Sequence, residues 1–184
     1  MANSPIYRVS FRRRREGRTD YARRLAAVRS GKARLVVRKS NASIYAQLVE
    51  FRPDGDRTLA SASGADLREL GWKGDLGNLP AAYLVGYLLA RKAGKGEAIL
   101  DIGMQRPSKG GRLFAVLKGA VDGGLEIPCD ESAFPAAERI EGTHIKGAPS
   151  SFSGYKKRSL SPEQVPDNFR QVKEKIAKSS GGGN

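Results

Sequence analysis

Positive charge is concentrated at the N-terminal end of this chain. The first 40 of its 184 residues contain 11 Arg and 2 Lys against only Glu16 and Asp20, so they carry +11 of the formal net charge of +14. A segment with so much like charge cannot form a hydrophobic core by itself. We therefore expect the rest of the chain to build most of the fold. The basic segment is expected to bind a polyanion, most simply nucleic acid, because the planar guanidinium group suits bidentate phosphate contacts.

The composition excludes several classes of protein. A single cysteine, Cys129, and a single histidine, His144, cannot form a disulfide framework or a Cys/His zinc site. No apolar run approaches the about 18 residues that span a bilayer, and the first residues lack the apolar stretch of a signal peptide. We expect one domain with extensions, in a reducing compartment, that neither spans a membrane nor is secreted.

The basic segment divides into a tail and a short helix. Residues 1–18 have no apolar periodicity and include the run Arg12–Arg15, so we expect them to stay disordered without a partner. Thr19 is a suitable N-cap for a helix that ends before Gly31. The outer face of this helix is basic and consists of Arg23, Arg24 and Arg29.

The centre of the chain has the pattern of a mixed α/β domain. Residues 33–51 alternate with period two about a turn, which predicts a β-hairpin, and 58–62 predict a third strand. A capped helix follows at 78–94, then a short apolar strand at 98–102 of the kind that pairs parallel with a neighbour. A second helix covers 113–121. The predicted order of elements is β-β-β-α-β-α, with a mixed sheet.

We divide the chain into three parts on this basis. Residues 1–31 form a basic N-terminal arm with its short helix, and 32–125 form the α/β core domain. Residues 126–184 form a C-terminal extension, in which an extended stretch precedes a Gly-, Pro- and Ser-rich loop at 147–161. Pro166 then opens a terminal amphipathic helix.

The residues that catalysis needs are sparse. A nucleophilic triad requires a base, and the only histidine is His144. A metal-dependent nuclease requires carboxylates on adjacent strand ends. Asp101 lies on the predicted fourth strand, but the first strand contains no acid. An enzyme, of which a metal-dependent nuclease is the best candidate, is therefore disfavoured.

Two glycine-rich turns could hold a phosphate group through their backbone N–H groups. These are Gly94–Gly96 and Lys109–Gly111, and neither matches a Walker loop or a dinucleotide-binding fingerprint. The second is the better candidate because it precedes a helix and has Lys109 and Arg112 beside it. A plain role as helix cap and turn is an equally good interpretation.

The hairpin carries the most specific motif. The residues Arg38-Lys39-Ser40-Asn41 followed by Ile44-Tyr45-Ala46-Gln47 resemble the ribosomal large-subunit protein family that binds 5S rRNA, numbered eighteen in bacteria and five in eukaryotes. The similarity continues through 82–93 and 111–120 and covers roughly residues 6–145. The segments 13–21 and 134–145 look like the archaeal and eukaryotic branch. The short C-terminal region favours an archaeal-type member.

This resemblance implies a fold and a function. The implied fold is a mixed sheet flanked by helices, with a ribonuclease-H-like layered core that lacks the catalytic acids. The implied protein is structural, not an enzyme, has no cofactor or metal, and is cytoplasmic as part of the large ribosomal subunit. It would hold 5S rRNA against the large-subunit rRNA at the central protuberance, beside neighbouring ribosomal proteins. No membrane or small-molecule substrate is expected.

RNA contacts are assigned to three groups of residues. The arm and its helix supply Arg8, Arg12, Arg13, Arg14, Arg15, Arg18, Tyr21, Arg24 and Arg29. The hairpin supplies Arg38, Ser40, Asn41, Tyr45 and Gln47. The loop before the last core helix supplies Lys109 and Arg112. The arginines would neutralise phosphates, and the hairpin side chains would contact phosphates and 2′-hydroxyl groups.

Several of these assignments have equal or simpler alternatives. Tyr21 either stacks on a base or packs on the sheet, and Tyr45 could be a cross-strand packing residue. The basic group 156–158 is assigned to the large rRNA from charge alone, and a solvated loop is equally good. For the whole chain, the remaining alternative is a general nucleic-acid-binding tail on a protein-binding domain.

Overall fold

The computed structural model describes residues 6–146 and 160–179, which form a mixed α/β protein. The helices are α1 (Arg12–Arg15), α2 (Tyr21–Arg29), α3 (Gly64–Glu69), α4 (Leu79–Ala93), α5 (Arg112–Asp122), α6 (Ala137–Glu141), α7 (Thr143–Lys146) and α8 (Val165–Ser179). The strands are β1 (Ala33–Lys39), β2 (Ile44–Glu50), β3 (Arg57–Ser63), β4 (Gly96–Asp101) and β5 (Leu125–Glu126).

The five strands form a mixed sheet in the order β3-β2-β1-β4-β5. β2 pairs antiparallel with both β1 and β3, because these chain neighbours are joined by short turns. β4 pairs parallel with β1, and β5 pairs parallel with β4, so each is reached through a helical crossover, α4 and then α5. The mixed sheet and its strands β1 to β4 confirm the sequence prediction.

The structure contains two elements that the predicted order lacks. Helix α3 lies between β3 and α4, and strand β5 follows α5. Neither was predicted, because six residues are too few to establish a helical period and two residues are too few to show alternation.

Helices α4 and α5 cover one face of the sheet. The residue types Asn78, Pro80 and Gly94 predict the bounds of α4, and the structure confirms them. Asn78 is the N-cap, because its Oδ1 accepts a hydrogen bond from the N–H of Ala81 at 2.9 Å. Pro80 lies in the first turn, and Gly94 follows the last. The sheet residues that face these helices are Leu35, Val37, Ile44, Ala46, Leu48, Ala60, Ala62 and Ala98, all buried in the main hydrophobic cluster. The core therefore lies between the sheet and this helix pair.

The C-terminal helix α8 packs into the same hydrophobic cluster. Its buried residues are Val165, Phe169, Val172 and Ile176. The Phe169 ring lies 5.6 Å from the ring of Tyr83 on α4, and the Lys173 ammonium group lies 5.0 Å from the centre of the same Tyr83 ring. The predicted terminal helix and its inward face are confirmed.

The predicted N-cap of α2 was wrong by one residue. Asp20 caps the helix, because its Oδ1 accepts hydrogen bonds from the N–H groups of Ala22 at 3.0 Å and Arg23 at 3.1 Å. The hydroxyl of Thr19 accepts a hydrogen bond from Arg13 Nε at 2.9 Å instead. Both residue types cap helices well, so the local sequence did not separate them.

The arginine run differs from the expected disorder. Arg12–Arg15 form a single helical turn, and the Glu16 carboxylate next to it pairs with Arg12 Nε at 2.7 Å and with Arg18 Nε at 3.2 Å. One carboxylate placed between two guanidinium groups offsets part of their mutual repulsion.

The stretch after β5, predicted to be extended, contains α6 and α7. Gly142, with φ of 82°, adopts the left-handed conformation that ends α6. Each helix has five residues or fewer, so neither shows a helical period in the sequence. Residues 147–159 of the predicted loop, including the basic group 156–158, lie outside the described residues.

Candidate nucleic-acid interface

The face of the sheet opposite α4 and α5 carries polar and aromatic side chains. Arg34, Val36 and Arg38 of β1 point to this face, since their chain neighbours point into the core. In the β1–β2 register Gln47 stands opposite Val36, and Tyr45 stands opposite Arg38. We call this surface the open face of the sheet.

Helix α2 and the end of α1 border the open face and leave a cavity of about 330 Å³ between them and the sheet. The charged residues that line it are Arg13, Arg18, Arg23, Arg24, Arg34, Arg38, Asp20, Asp56 and Asp101. We call this cavity the arginine cleft. Six guanidinium groups against three carboxylates give the cleft lining a net positive charge, which favours anions.

Asp56 joins the arm to the sheet. Its Oδ2 atom accepts hydrogen bonds from Arg24 Nη2 of α2 at 2.9 Å and from Arg34 Nη2 of β1 at 2.7 Å. Asp56 lies between β2 and β3, so three separate segments of the chain meet at one carboxylate. The Arg34 side chain is only 4% exposed, which makes this a largely desolvated contact.

Asp101, at the end of β4, adds further ion pairs to the series Arg24–Asp56–Arg34 and continues it along the open face. We call this series the ion-pair chain. The Asp101 Oδ2 atom pairs with Arg34 Nη1 at 3.1 Å, and its Oδ1 atom pairs with Arg38 Nη2 at 3.2 Å. The N–H of Gly103 donates to the same Oδ1 at 2.8 Å, and Arg38 Nη1 donates to the Asp101 carbonyl at 2.9 Å. The carboxylates and guanidinium groups therefore alternate in the order Arg24, Asp56, Arg34, Asp101, Arg38.

Arg34 keeps one donor without an acceptor. Its Nε is buried and has no hydrogen-bond partner in the described part of the chain. A buried N–H without an acceptor typically costs about 1–3 kcal/mol. Such groups in native proteins call for an explanation, and here the group belongs to a residue that lines the arginine cleft.

The arm itself presents exposed aromatic and basic side chains. The Phe11 ring is 72% exposed and lies 5.2 Å from the ring of Tyr21, which is half-buried. Tyr21 thus packs within the arm, a contact that the sequence alternatives did not include. Exposed rings among arginines suit stacking on unpaired bases.

Tyr45 is exposed on the open face. Its side chain retains 55% of its accessible surface, although Arg38 and Ser63 stand opposite it on the two neighbouring strands. A ring held on a strand with this much free surface can stack on a base. Gln47, two residues further on the same face, lies in the wall of the arginine cleft.

A second group of predicted residues lies at the turn between β1 and β2. Arg112 Nη1 donates to the carbonyl of Ser40 at 3.0 Å and to that of Gly77 at 2.9 Å, so it joins this turn to the loop before α4. The Gln105 amide donates to the Val37 carbonyl at 3.1 Å, so the loop that contains Lys109 also contacts β1. Lys109 itself is exposed.

The chain also matches a known protein family. Residues 6–96 and 92–130 match the family of ribosomal large-subunit proteins 60S L5 and 50S L18. The chain belongs to this family. It is accordingly a large-subunit ribosomal protein, an RNA-binding structural component of the translation machinery that resides in the ribosome. The matched residues include 6–31 of the arm, the sheet and every residue that lines the arginine cleft.

The predicted RNA-binding residues of this L5/L18-family protein occupy four places. The arginine cleft contains Arg13, Arg18, Arg24, Arg38 and Gln47. The arm outside the cleft carries Arg8, Arg12, Arg14, Arg15, Tyr21 and Arg29. The β1–β2 turn and the loop before α5 carry Ser40, Asn41, Lys109 and Arg112. Tyr45 lies on the open face, two residues before Gln47 on β2.

Besides Asp20, which caps α2, four charged residues of the cleft lining were not assigned to RNA from the sequence. These are Arg23, Arg34, Asp56 and Asp101. Period-two alternation in β1 places Arg34 on the same face as Arg38, and this signal was available. The two aspartates carry no local signal for a role in an arginine-rich site.

The residues considered for catalysis, His144 and Asp101, lie on different elements, α7 and β4. In the described ranges no group of three or more His, Cys, Asp and Glu side chains is placed to hold a metal ion. His144 is exposed on α7, and the Asp101 carboxylate forms ion pairs with Arg34 and Arg38. No helix in residues 6–146 or 160–179 is long and apolar enough to cross a membrane.

Proposed function

We propose that this L5/L18-family protein binds 5S rRNA and attaches it to the large-subunit rRNA at the central protuberance, as an archaeal-type member. The observation that carries the proposal is the convergence of the arm and β1 on one surface. Six arginines line a cleft that continues into an exposed tyrosine on the open face. This surface lies within the part of the chain that matches the family.

The proposed contacts follow from the chemistry of each group. Arginines of the arm and cleft neutralise phosphates and release counterions. Tyr45 stacks on a base, and the Gln47 amide and the polar groups of Ser40 and Asn41 bond to 2′-hydroxyl or phosphate oxygens. Lys109 and the N-terminus of α5 hold one segment of the RNA backbone. Arg112 positions the β1–β2 turn through its hydrogen bond to the Ser40 carbonyl.

The parts of the chain take separate roles in this proposal. The arm (1–31) provides most of the electrostatic attraction, and the core (32–125), with a ribonuclease-H-like layered arrangement, presents the open face. The C-terminal extension (126–184) provides surface for neighbouring ribosomal proteins of the central protuberance. No reaction, cofactor or small-molecule substrate takes part.

A competition experiment tests the proposal. The protein is titrated against 5S rRNA in filter binding, with tRNA and duplex DNA as competitors, at about 50 and 200 mM salt. We expect 5S rRNA to win by roughly a thousandfold or more, as specific complexes do over non-specific ones. Equal competition by all three nucleic acids would show a generic polyanion binder. Addition of large-subunit rRNA fragments to the 5S complex then tests attachment.

A further inference from the structure

We infer that Asp56 and Asp101 are positioning residues for RNA binding. They hold Arg24, Arg34 and Arg38 in a fixed arrangement, so that removal of either carboxylate weakens RNA binding although it makes the cleft more positive. The inference rests on the proposed function for its biological meaning, since it concerns the same surface.

Asp56 links helix α2, which is weakly packed, to strand β1, which is firmly packed. Arg24 belongs to α2, which has no buried residue, whereas Arg34 is a buried residue of the central strand β1. Both donate to the same Oδ2 atom, at 2.9 and 2.7 Å. Asp56 thereby fixes where the arm stands relative to the open face.

Asp101 acts in the same way at the other end of the ion-pair chain. Its carboxylate is itself held by the N–H of Gly103, and Arg38 contacts both its side chain and its carbonyl. The Arg38 side chain is 47% exposed, so one part of its guanidinium group is anchored while the rest faces solvent. An arginine in this state is oriented but available to a phosphate.

The physical reason concerns entropy and repulsion together. A free arginine side chain loses rotamer entropy when it is immobilised on binding. Guanidinium groups placed side by side also repel one another and turn apart. Carboxylates between them remove both costs before the RNA arrives. Removal of a carboxylate should therefore weaken RNA binding, whereas the gain in net positive charge alone would strengthen it.

The experiment compares two neighbouring aspartates. Asp56→Asn and Asp54→Asn change the charge by the same amount, two residues apart, but Asp54 is exposed and forms no ion pair with the described residues. We expect Asp56→Asn to bind 5S rRNA roughly tenfold more weakly than wild type, because Arg24 is released and Arg34 keeps only its contact with Asp101. Asp54→Asn should bind as tightly as wild type or slightly more tightly. An Asp56→Asn protein that binds at least as tightly as Asp54→Asn overturns the inference.

A second variant and a second readout guard against simple unfolding. Asp101→Asn should lower affinity in the same direction, and circular dichroism checks that each variant is folded. The second readout needs no RNA: ¹⁵N relaxation of the arginine Nε–H groups in the free protein. Arg34 and Arg38 should be rigid in wild type and in Asp54→Asn, and Arg38 should be mobile in Asp101→Asn.

The two readouts separate the inference from the proposed function. If wild type prefers no RNA but its cleft arginines are rigid and are loosened by the aspartate variants, the function is wrong and the positioning role stands. If 5S rRNA is preferred while the arginines of the wild-type cleft are as mobile as those of Asp101→Asn, the function stands and the positioning role is wrong.

Discussion

Gly86 of α4 and Gly119 of α5 each face the backbone of the opposite helix. A Cβ atom on Gly86 would overlap the carbonyl group of Val116, and one on Gly119 would overlap the carbonyl group of Tyr83. The pair is reciprocal, so the two helices touch backbone to backbone where they cover the sheet. Both positions require glycine because there is no room for a Cβ atom. Backbone conformation is not the reason, since neither residue has a positive φ.

The first prediction is that Gly86→Ala destabilises the protein. Alanine improves intrinsic helix stability by up to about 1 kcal/mol, but the overlap with Val116 forces α4 and α5 apart. We expect the free energy of unfolding to fall by about 2 kcal/mol or more, measured by urea denaturation. Gly96→Ala is the control, because a Cβ at Gly96 meets open space. Equal stability of the two variants would contradict the close helix contact.

The second prediction concerns stability at high pH. Burial, and then the hydrogen bond that its hydroxyl donates to Asp122 Oδ2 at 2.8 Å, raise the pKa of Tyr83 above its ordinary value of 10.0. The folded state therefore keeps a proton that the unfolded state loses, and stability falls as the pH rises above about 10.

Tyr83→Phe tests this pH dependence. The variant should lose about 1 kcal/mol of stability at neutral pH with the hydrogen bond. Above about pH 10 the wild type should lose up to about 1.4 kcal/mol more per pH unit than the variant. Urea denaturation between about pH 8 and pH 11 measures both slopes. Parallel pH profiles for the two proteins would show that Tyr83 does not titrate as its buried contact with Asp122 requires.

Local signals in the sequence were sufficient for the elements of the core. Asn78, Pro80 and Gly94 bound α4, and the apolar alternation of β1 and β2 fixes which residues enter the core. Signals of this kind failed where two adjacent residues were equally suitable, as at Thr19 and Asp20. They also failed for elements shorter than their own structural period, such as α6.

The charged network of the site could not be predicted because its contacts are distant in sequence. Arg34 meets Asp56 over 22 residues and Asp101 over 67 residues. The second contact exists only because β4 pairs parallel with β1, with Val36 opposite Asp101. The sequence indicated the basic arm and the exposed hairpin residues, but not that carboxylates would order the arginines between them.

The third prediction tests the observed cap of α2. Asp20→Ala removes the acceptor for two N–H groups, which typically costs a helix about 1 kcal/mol. Because α2 has no buried residue, this loss should stay local. Amide exchange in α2 should quicken about fivefold while global unfolding is unchanged. Thr19→Ala should leave exchange in α2 near the wild-type rate, and the reverse result would restore Thr19 as the cap.

The fourth prediction concerns the arginine run of the arm. Replacing Arg13, Arg14 and Arg15 by Ala should weaken binding to all RNAs and flatten its salt dependence. The log–log slope should fall by up to about one unit for each phosphate group that the variant no longer neutralises. Arg13 lines the cleft and donates to Thr19, whereas Arg14 and Arg15 are exposed, so the single variants should divide this reduction unequally.

A control with the same change in net charge completes this test. Lys95, Lys146 and Lys178 are exposed and lie outside both the arm and the cleft lining. Their triple replacement by Ala also removes three positive charges and should leave the salt slope close to that of wild type. If the salt slope falls equally in both triple variants, attraction depends on total charge and the arm makes no direct phosphate contacts. A reduction confined to the arginine variant places those contacts in the arm.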